Sequence, residues 1–233
     1  MSRFLILVLS TLFTFSVQAA GLPPAFKAHY VVKKGPIELG RATHELKYVP
    51  GGELVYESSS DSTGLADMLF SDHIRETTRL KQDGANLLPL EYRYDRSGKR
   101  KRTMSQQFDW AQGKVISRVD DAVTEYPLPP RTLDPSGYQV SLMLDLAKGE
   151  RNFSYLISGK NDIRSYDIDN LGDERIDTVL GNLNTVVIQR KDKRITTMWC
   201  AYDLDFLPVK IQHEEKGGVF TAYLESVEGL TLP

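Results

Sequence analysis

Cysteine is almost absent from this chain, which has Cys200 and no other. A lone cysteine cannot close an internal disulfide, so the fold must be held by packing even in an oxidising compartment. An excess of either charge is also lacking. The 29 Lys+Arg against 31 Asp+Glu offer no global field for nucleic acid or an anionic membrane. Metal-ligand spacing is missing among the four histidines, His29, His44, His73 and His213. His44-Glu45 opens like a zinc-protease helix, but Tyr48 stands where the second histidine is needed. That segment reads as a strand, which sends His44 and Glu45 to opposite faces. Asp167-Ile168-Asp169-Asn170-Leu171-Gly172-Asp173 begins like a calcium loop, then fails at Leu171 and at Thr178, where the bidentate glutamate belongs. Neither a G-x-S-x-G elbow nor a phosphate-cradling glycine loop occurs. The sequence therefore nominates no catalytic residue, no metal ligand and no cofactor, and a non-enzyme is expected.

Long apolar runs are confined to the amino terminus. Arg3 precedes Phe4 to Phe15, and Val17-Gln18-Ala19 follows with small residues where a signal peptidase requires them. The run is shorter than the roughly 20 residues needed to cross a bilayer. We expect residues 1–19 to be a cleaved signal peptide and residues 20–233 to form one β-rich domain with no transmembrane segment. No cysteine follows the cleavage site to take a lipid, so the expected location is the periplasm of a Gram-negative type cell, as a soluble monomer.

The mature chain alternates with period two. Phe26, Ala28 and Tyr30 share a face, and Leu90, Tyr92 and Tyr94 oppose Glu91, Arg93 and Asp95. Leu207, Val209 and Ile211 repeat the pattern, as do Phe220, Ala222 and Leu224. Gly51-Gly52, Asp83-Gly84, Ser97-Gly98, Gln112-Gly113 and Gly217-Gly218 separate such runs, and these pairs supply the positive φ that tight hairpins need. The pattern gives roughly eleven to thirteen strands in an antiparallel meander. Gly64–Phe70 could be a short helical turn. Asp134-Pro135 reads as an N-cap and first helical residue. Val140, Met143, Leu144 and Ala147 follow at helical spacing, Leu142 and Leu146 widen the apolar face, and Gly149 sits at the C-cap. A helix over about 134–148, apolar nearly all round, should be buried against the concave face of one curved sheet.

Three stretches together resemble a known family. They are Phe108-Asp109-Trp110 before Gly113-Lys114-Val115, then Asp134-Pro135-Ser136-Gly137-Tyr138-Gln139 running into Leu142-Met143-Leu144-Asp145-Leu146, then Trp199, Asp203 and Leu207-Pro208-Val209-Lys210. The chain resembles the exported bacterial proteins grouped as "domain of unknown function 3108". The family pattern usually has Leu-Ser where this chain has Ser136-Gly137. The resemblance implies a periplasmic, mainly β protein without established activity. It also implies an open or incomplete β-barrel plugged by a helix, similar to the periplasmic lipoprotein carriers.

The expected function is binding or envelope maintenance. An apolar ligand such as an acyl chain, or an envelope protein's segment, would sit in the concave sheet. Tyr138, Met143, Leu144 and Trp199 are the candidates to line it. Trp199, Tyr202, Phe206 and Pro208 could equally be ordinary core. Lys99-Arg100-Lys101-Arg102 beside the Ser97-Gly98 turn is a candidate contact for an anionic surface. It lacks the interleaved aromatics of a nucleic-acid site. Cys200 shares a strand face with Met198 and reads as a buried, inert thiol. The alternatives are a scaffold offering sheet edges to a partner, and a hydrolase acting on an envelope polymer.

Overall fold

The computed structural model describes residues 21–64, 67, 73–99, 101–192 and 194–231. The expected signal peptide at 1–19 and Arg100 lie outside these residues. Of the expected turn at 64–70, Gly64 and Asp67 are described and are helical.

The strands are β1 (Phe26–Lys34), β2 (Ile37–Val49), β3 (Glu53–Ser62), β4 (His73–Asp83), β5 (Asn86–Ser97), β6 (Arg102–Asp109), β7 (Lys114–Val119) and β8 (Ala122–Pro127). A two-residue β9 (Thr132–Leu133) leads to helix α1 (Tyr138–Ala147). Then come β10 (Phe153–Ser158), β11 (Ile163–Thr178), β12 (Gly181–Lys191), β13 (Ile195–Ala201), β14 (Leu207–Glu215) and β15 (Gly218–Glu228). All belong to one 15-stranded sheet, in the order 8-7-6-5-4-3-2-1-15-14-13-12-11-10-9. First and last strands pair at its centre, and β8 and β9 form its edges. The strands exceed the eleven to thirteen of the sequence pattern because some carry no alternation. β8 is exposed at all positions but one, and β9 is only two residues long.

Where the pattern is strong, the expectation holds. Phe26, Ala28 and Tyr30 are buried on one face of β1. Glycines 51, 52, 84, 98, 113 and 218 all take positive φ at the expected turns. The helix starts later than the sequence pattern suggests, with Gly137 rather than Asp134 at its N-cap, and Asp134 instead holds the turn that leads into it. Asp134 Oδ1 accepts the N–H groups of Ser136 (2.9 Å) and Gly137 (2.7 Å), while the first turn closes tightly through Gln139 N–H to Ser136 O. A Cβ on residue 137 would collide with the Asp134 carboxylate, so glycine suits this approach. Gly149, at φ +85°, ends the helix by donating to Leu146 O.

The sheet curls round α1 without closing into a barrel. Val140, Met143 and Leu144 pack with Leu46, Leu54, Leu80 and Leu87 from one half of the sheet. Leu142 and Leu146 pack with Ile157, Ile168, Ile188 and Met198 from the other. The helix is thus buried on opposite sides, as its unbroken apolar sequence requires.

The two halves meet through side chains. Gln106 of β6, fully buried, accepts from Ser158 Oγ at 2.7 Å and donates to Gly159 O and to Tyr126 Oη, 3.0 Å away. Tyr126 Oη in turn donates to Gly159 O at 2.8 Å. Tyr92, Phe108, Val115, Tyr126 and Leu128 form a small core there, with Ile163 packed against it. The sheet is therefore a scroll whose β10 end is clasped by β6 and β8.

Candidate functional site

Pairing register fixes which residues share the concave face. On β2, β3 and β4 the inward positions run apolar to polar toward one end. They read Leu46, His44, Ala42 on β2, then Leu54, Tyr56, Ser58, Ser60 on β3, then Leu80, Thr78, Glu76, Ile74 on β4. Ser58 pairs with His44 on one side and with Glu76 on the other. Across the interior the inward residues are Thr196 and Met198 of β13, Ile211 and His213 of β14, and Phe220 and Ala222 of β15. The start of α1 supplies Tyr138 and Gln139, and Arg194 stands at the rim. Together these groups bound an open cavity of about 390 Å³ at the polar end of the scroll. That lies within the range of small-molecule sites, roughly 300–1,000 Å³.

The cavity has two chemical sides. Met198, Ile211, Ala222, Val32 and Phe220 make an apolar wall, while His44, Ser58, Ser60, Glu76 and Gln139 make a hydrogen-bonding one. Tyr56 Oη donates to Gln139 Oε1 at 3.3 Å and lies 3.0 Å from His44 Nδ1. With the tyrosine proton on Gln139, His44 donates from Nδ1 and carries a bare Nε2. Desolvation lowers the His44 pKa to about 4, so the ring is neutral at physiological pH. Burial and, secondarily, Arg190 and Arg194 lower that of His213, whose Nδ1 is 3.0 Å from Thr196 Oγ1.

Glu76 accepts a 2.5 Å hydrogen bond from Tyr92 Oη. Desolvation first, and the nearby Asp134 second, raise its pKa. Asp134 is fully buried, and desolvation raises its pKa against the hydrogen bonds from Gly137, Thr78 and Ser136.

Of the four lining candidates from the sequence, Tyr138 borders this cavity. Met143 and Leu144 are each 3% exposed within the core. Trp199 lies on the β13 face opposite Met198, 8% exposed, and donates from Nε1 to Glu174 Oε2 at 2.8 Å. Lys210 Nζ sits 3.9 Å from its ring centroid. Lys99 and Lys101 are exposed at the β5–β6 turn, and Arg102 pairs with Arg96 across the ladder. Cys200 is fully buried on the Met198 face, and burial pushes its thiol up to about 12. His44, Ser58, Glu76, Gln139 and His213 were not among the sequence candidates. Their signal is the appearance of polar residues at inward positions of strands that begin apolar.

Among the described residues, no helix is long and apolar enough to cross a membrane, and no group of three or more His, Cys, Asp and Glu side chains could hold a metal ion.

No curated protein matches the chain. Among solved structures, it is similar to a β-barrel-like protein of "domain of unknown function DUF1849" from Brucella abortus. The TM-score is 0.57 at 9% identity, covering 89% of this chain and 98% of that one. This is a likeness of fold. A superposition on MucB gives a TM-score of 0.33 at 10% identity, covering 92% of this chain and 56% of that one. The model of the family described as "Protein of unknown function (DUF3108)" matches residues 26–225, and the chain belongs to that family.

Proposed function

We propose that this is an exported, periplasmic, non-enzymatic binding protein that holds a small amphipathic ligand in the cavity at the open end of the scroll. One observation carries the reading: a cavity of about 390 Å³ with an apolar wall facing a hydrogen-bonding wall. Such a site binds the body of a ligand by burial and orients it with a few polar contacts. The helix fills the rest of the apolar interior, so the bound group is short or enters only in part. A binding role fits the side chains better than hydrolysis does, because His44 is engaged by Tyr56 and the Glu76 carboxyl by Tyr92.

The test is mass spectrometry of solvent extracts from protein purified out of a periplasmic fraction without detergent, alongside Ser60→Trp, which fills the cavity. A stoichiometric small molecule present in the wild type and lost in the folded variant is the expected result. An empty wild-type protein that also fails to bind amphiphiles in solution would overturn the reading. The exposed outer edge of β8, Ala122–Glu125, favours a second reading as a scaffold that adds a partner's strand. Crosslinks from Val123 to an envelope protein would support it.

A further inference from the structure

The polar wall has a specific character: it presents hydrogen-bond acceptors and an acid without a counter-charge. Among the described residues, Glu76 is hydrogen-bonded by Tyr92, and no Lys, Arg or His bears on its carboxyl. The Tyr92 hydroxyl donates to one carboxyl oxygen, Oε1, at 2.5 Å. Ser58 separates Glu76 from His44 in the ladder, with directly paired side chains roughly 5 Å apart at Cβ. In the tautomer that donates from Nδ1 to Tyr56, neutral His44 presents Nε2 as a further acceptor, and the Ser58 hydroxyl can accept as well.

The nearby helix end does not favour an anion instead. Asp134 Oδ1 occupies the Ser136 and Gly137 N–H groups, and those of Tyr138 and Gln139 turn back to the carbonyls of Asp134 and Ser136. Arg194 stands at the rim, where its Nε lies 3.4 Å from Glu215 Oε2.

We propose that the cavity selects ligands bearing a primary ammonium group, seated among Glu76, Ser58 and His44 with the apolar portion against Met198 and Ile211. This rests on the binding role proposed above and names its ligand class. An ammonium carries three donors and one positive charge. The site offers the half-buried Glu76 carboxylate, which has no cationic partner among the described residues, with the Ser58 hydroxyl and the His44 ring beside it, and a desolvated acid gains from a cation. A carboxylate or phosphate head would face like charge.

Calorimetric titration with n-octylamine, n-octanol and octanoate near neutral pH, at low salt, tests this with the detergent-free protein. Octylamine should bind at least roughly tenfold more tightly than either of the others, the smallest gain expected of a charge-assisted bond in a desolvated site. Glu76→Gln, which keeps an acceptor for Tyr92, should reduce octylamine to the level that octanol shows in the same variant.

The groups facing Glu76 are Asp134 before the helix, Tyr56 and Ser58 of β3, Tyr92 and Tyr94 of β5, His44 of β2 and Tyr138 of α1, with Arg194 and His213 of β14 across the cavity. Of these Asp134, His44 and His213 can change charge in the acidic range. Octylamine affinity should fall on acidification as Glu76 takes a proton, while octanol affinity stays level. Tightest binding by octanoate, or an amine preference that survives in folded Glu76→Gln, overturns the ammonium assignment alone. Absence of binding by all three probes, or binding that Ser60→Trp leaves intact, overturns the cavity reading and the assignment together.

Discussion

The two ends of the scroll's interior are built from the same strands yet differ in chemistry. At one end Leu46, Leu54, Leu80 and Leu87 meet Val140, Met143 and Leu144 of the helix, all nearly inaccessible to water. At the other end the same faces carry His44, Ser58 and Glu76 round an open cavity. The apolar end is tightly packed and holds the molecule together. The polar end is open and leaves groups free to bind. A single strand such as β3 serves both, because its inward positions pass from Leu54 through Tyr56 to Ser58 and Ser60.

That contrast can be broken by substitution at either end. Leu54, fully buried on β3 at the apolar end, should show the largest effect. Leu54→Ala is expected to cost about 2–5 kcal/mol in urea unfolding, the range for a leucine cavity in a packed core. Ser58→Ala at the open end should change stability by no more than about 0.5 kcal/mol in the same assay. Equal costs would erase the distinction.

The clasp comes next. Gln106→Ala removes the partner of Ser158 Oγ and a donor to Gly159 O, at about 1–3 kcal/mol. Hydrogen exchange should accelerate in β9 and β10 more than in β1 and β15. Uniform acceleration would show that the seam is not a separate unit.

Acid should act on the polar end through opposing groups. The folded-state pKa of His44 is below that of the unfolded chain. The unfolded state therefore takes the proton first, and the stability His44 contributes is lost as pH falls from about 6.5 to about 4. Glu76 and Asp134, raised in the fold, work in the opposite sense, since the folded state takes their protons first. The difference between wild type and His44→Gln isolates the histidine. It should shrink by about 2 kcal/mol across that window, allowing for solvent in the cavity. A pH-independent difference would mean that the ring is not desolvated.

The smallest perturbation probes the packed side. Cys200 should resist a thiol reagent near pH 8 while the protein is folded, and react fully once it is unfolded. Rapid labelling of the native state would show that the interior opens there.

The fold was more legible than the site. Local signals marked the turns at Gly84 and Gly218, the face shared by Phe26, Ala28 and Tyr30, and the helix between Asp134 and Gly149. Each of these is decided within a few residues by φ preference, pleat or capping. Two-residue β9 and exposed β8 escaped because neither carries alternation. Among the lining candidates, aromatic size drew attention to Trp199, although the pleat sets it opposite Met198. His44 was read as a scattered strand histidine and Glu76 was not singled out, since the two stand 32 positions apart in the sequence.

The sequence by itself determined a β-rich chain with glycine turns and one wholly apolar helix, because period, composition and backbone preference act locally. Only the tertiary structure decided that β1 meets β15, that Gln106 clasps β10, and that Ser58 stands between His44 and Glu76. Those juxtapositions depend on strand register and on the curl of the whole sheet round the helix, which long-range packing fixes and no local stretch of sequence encodes.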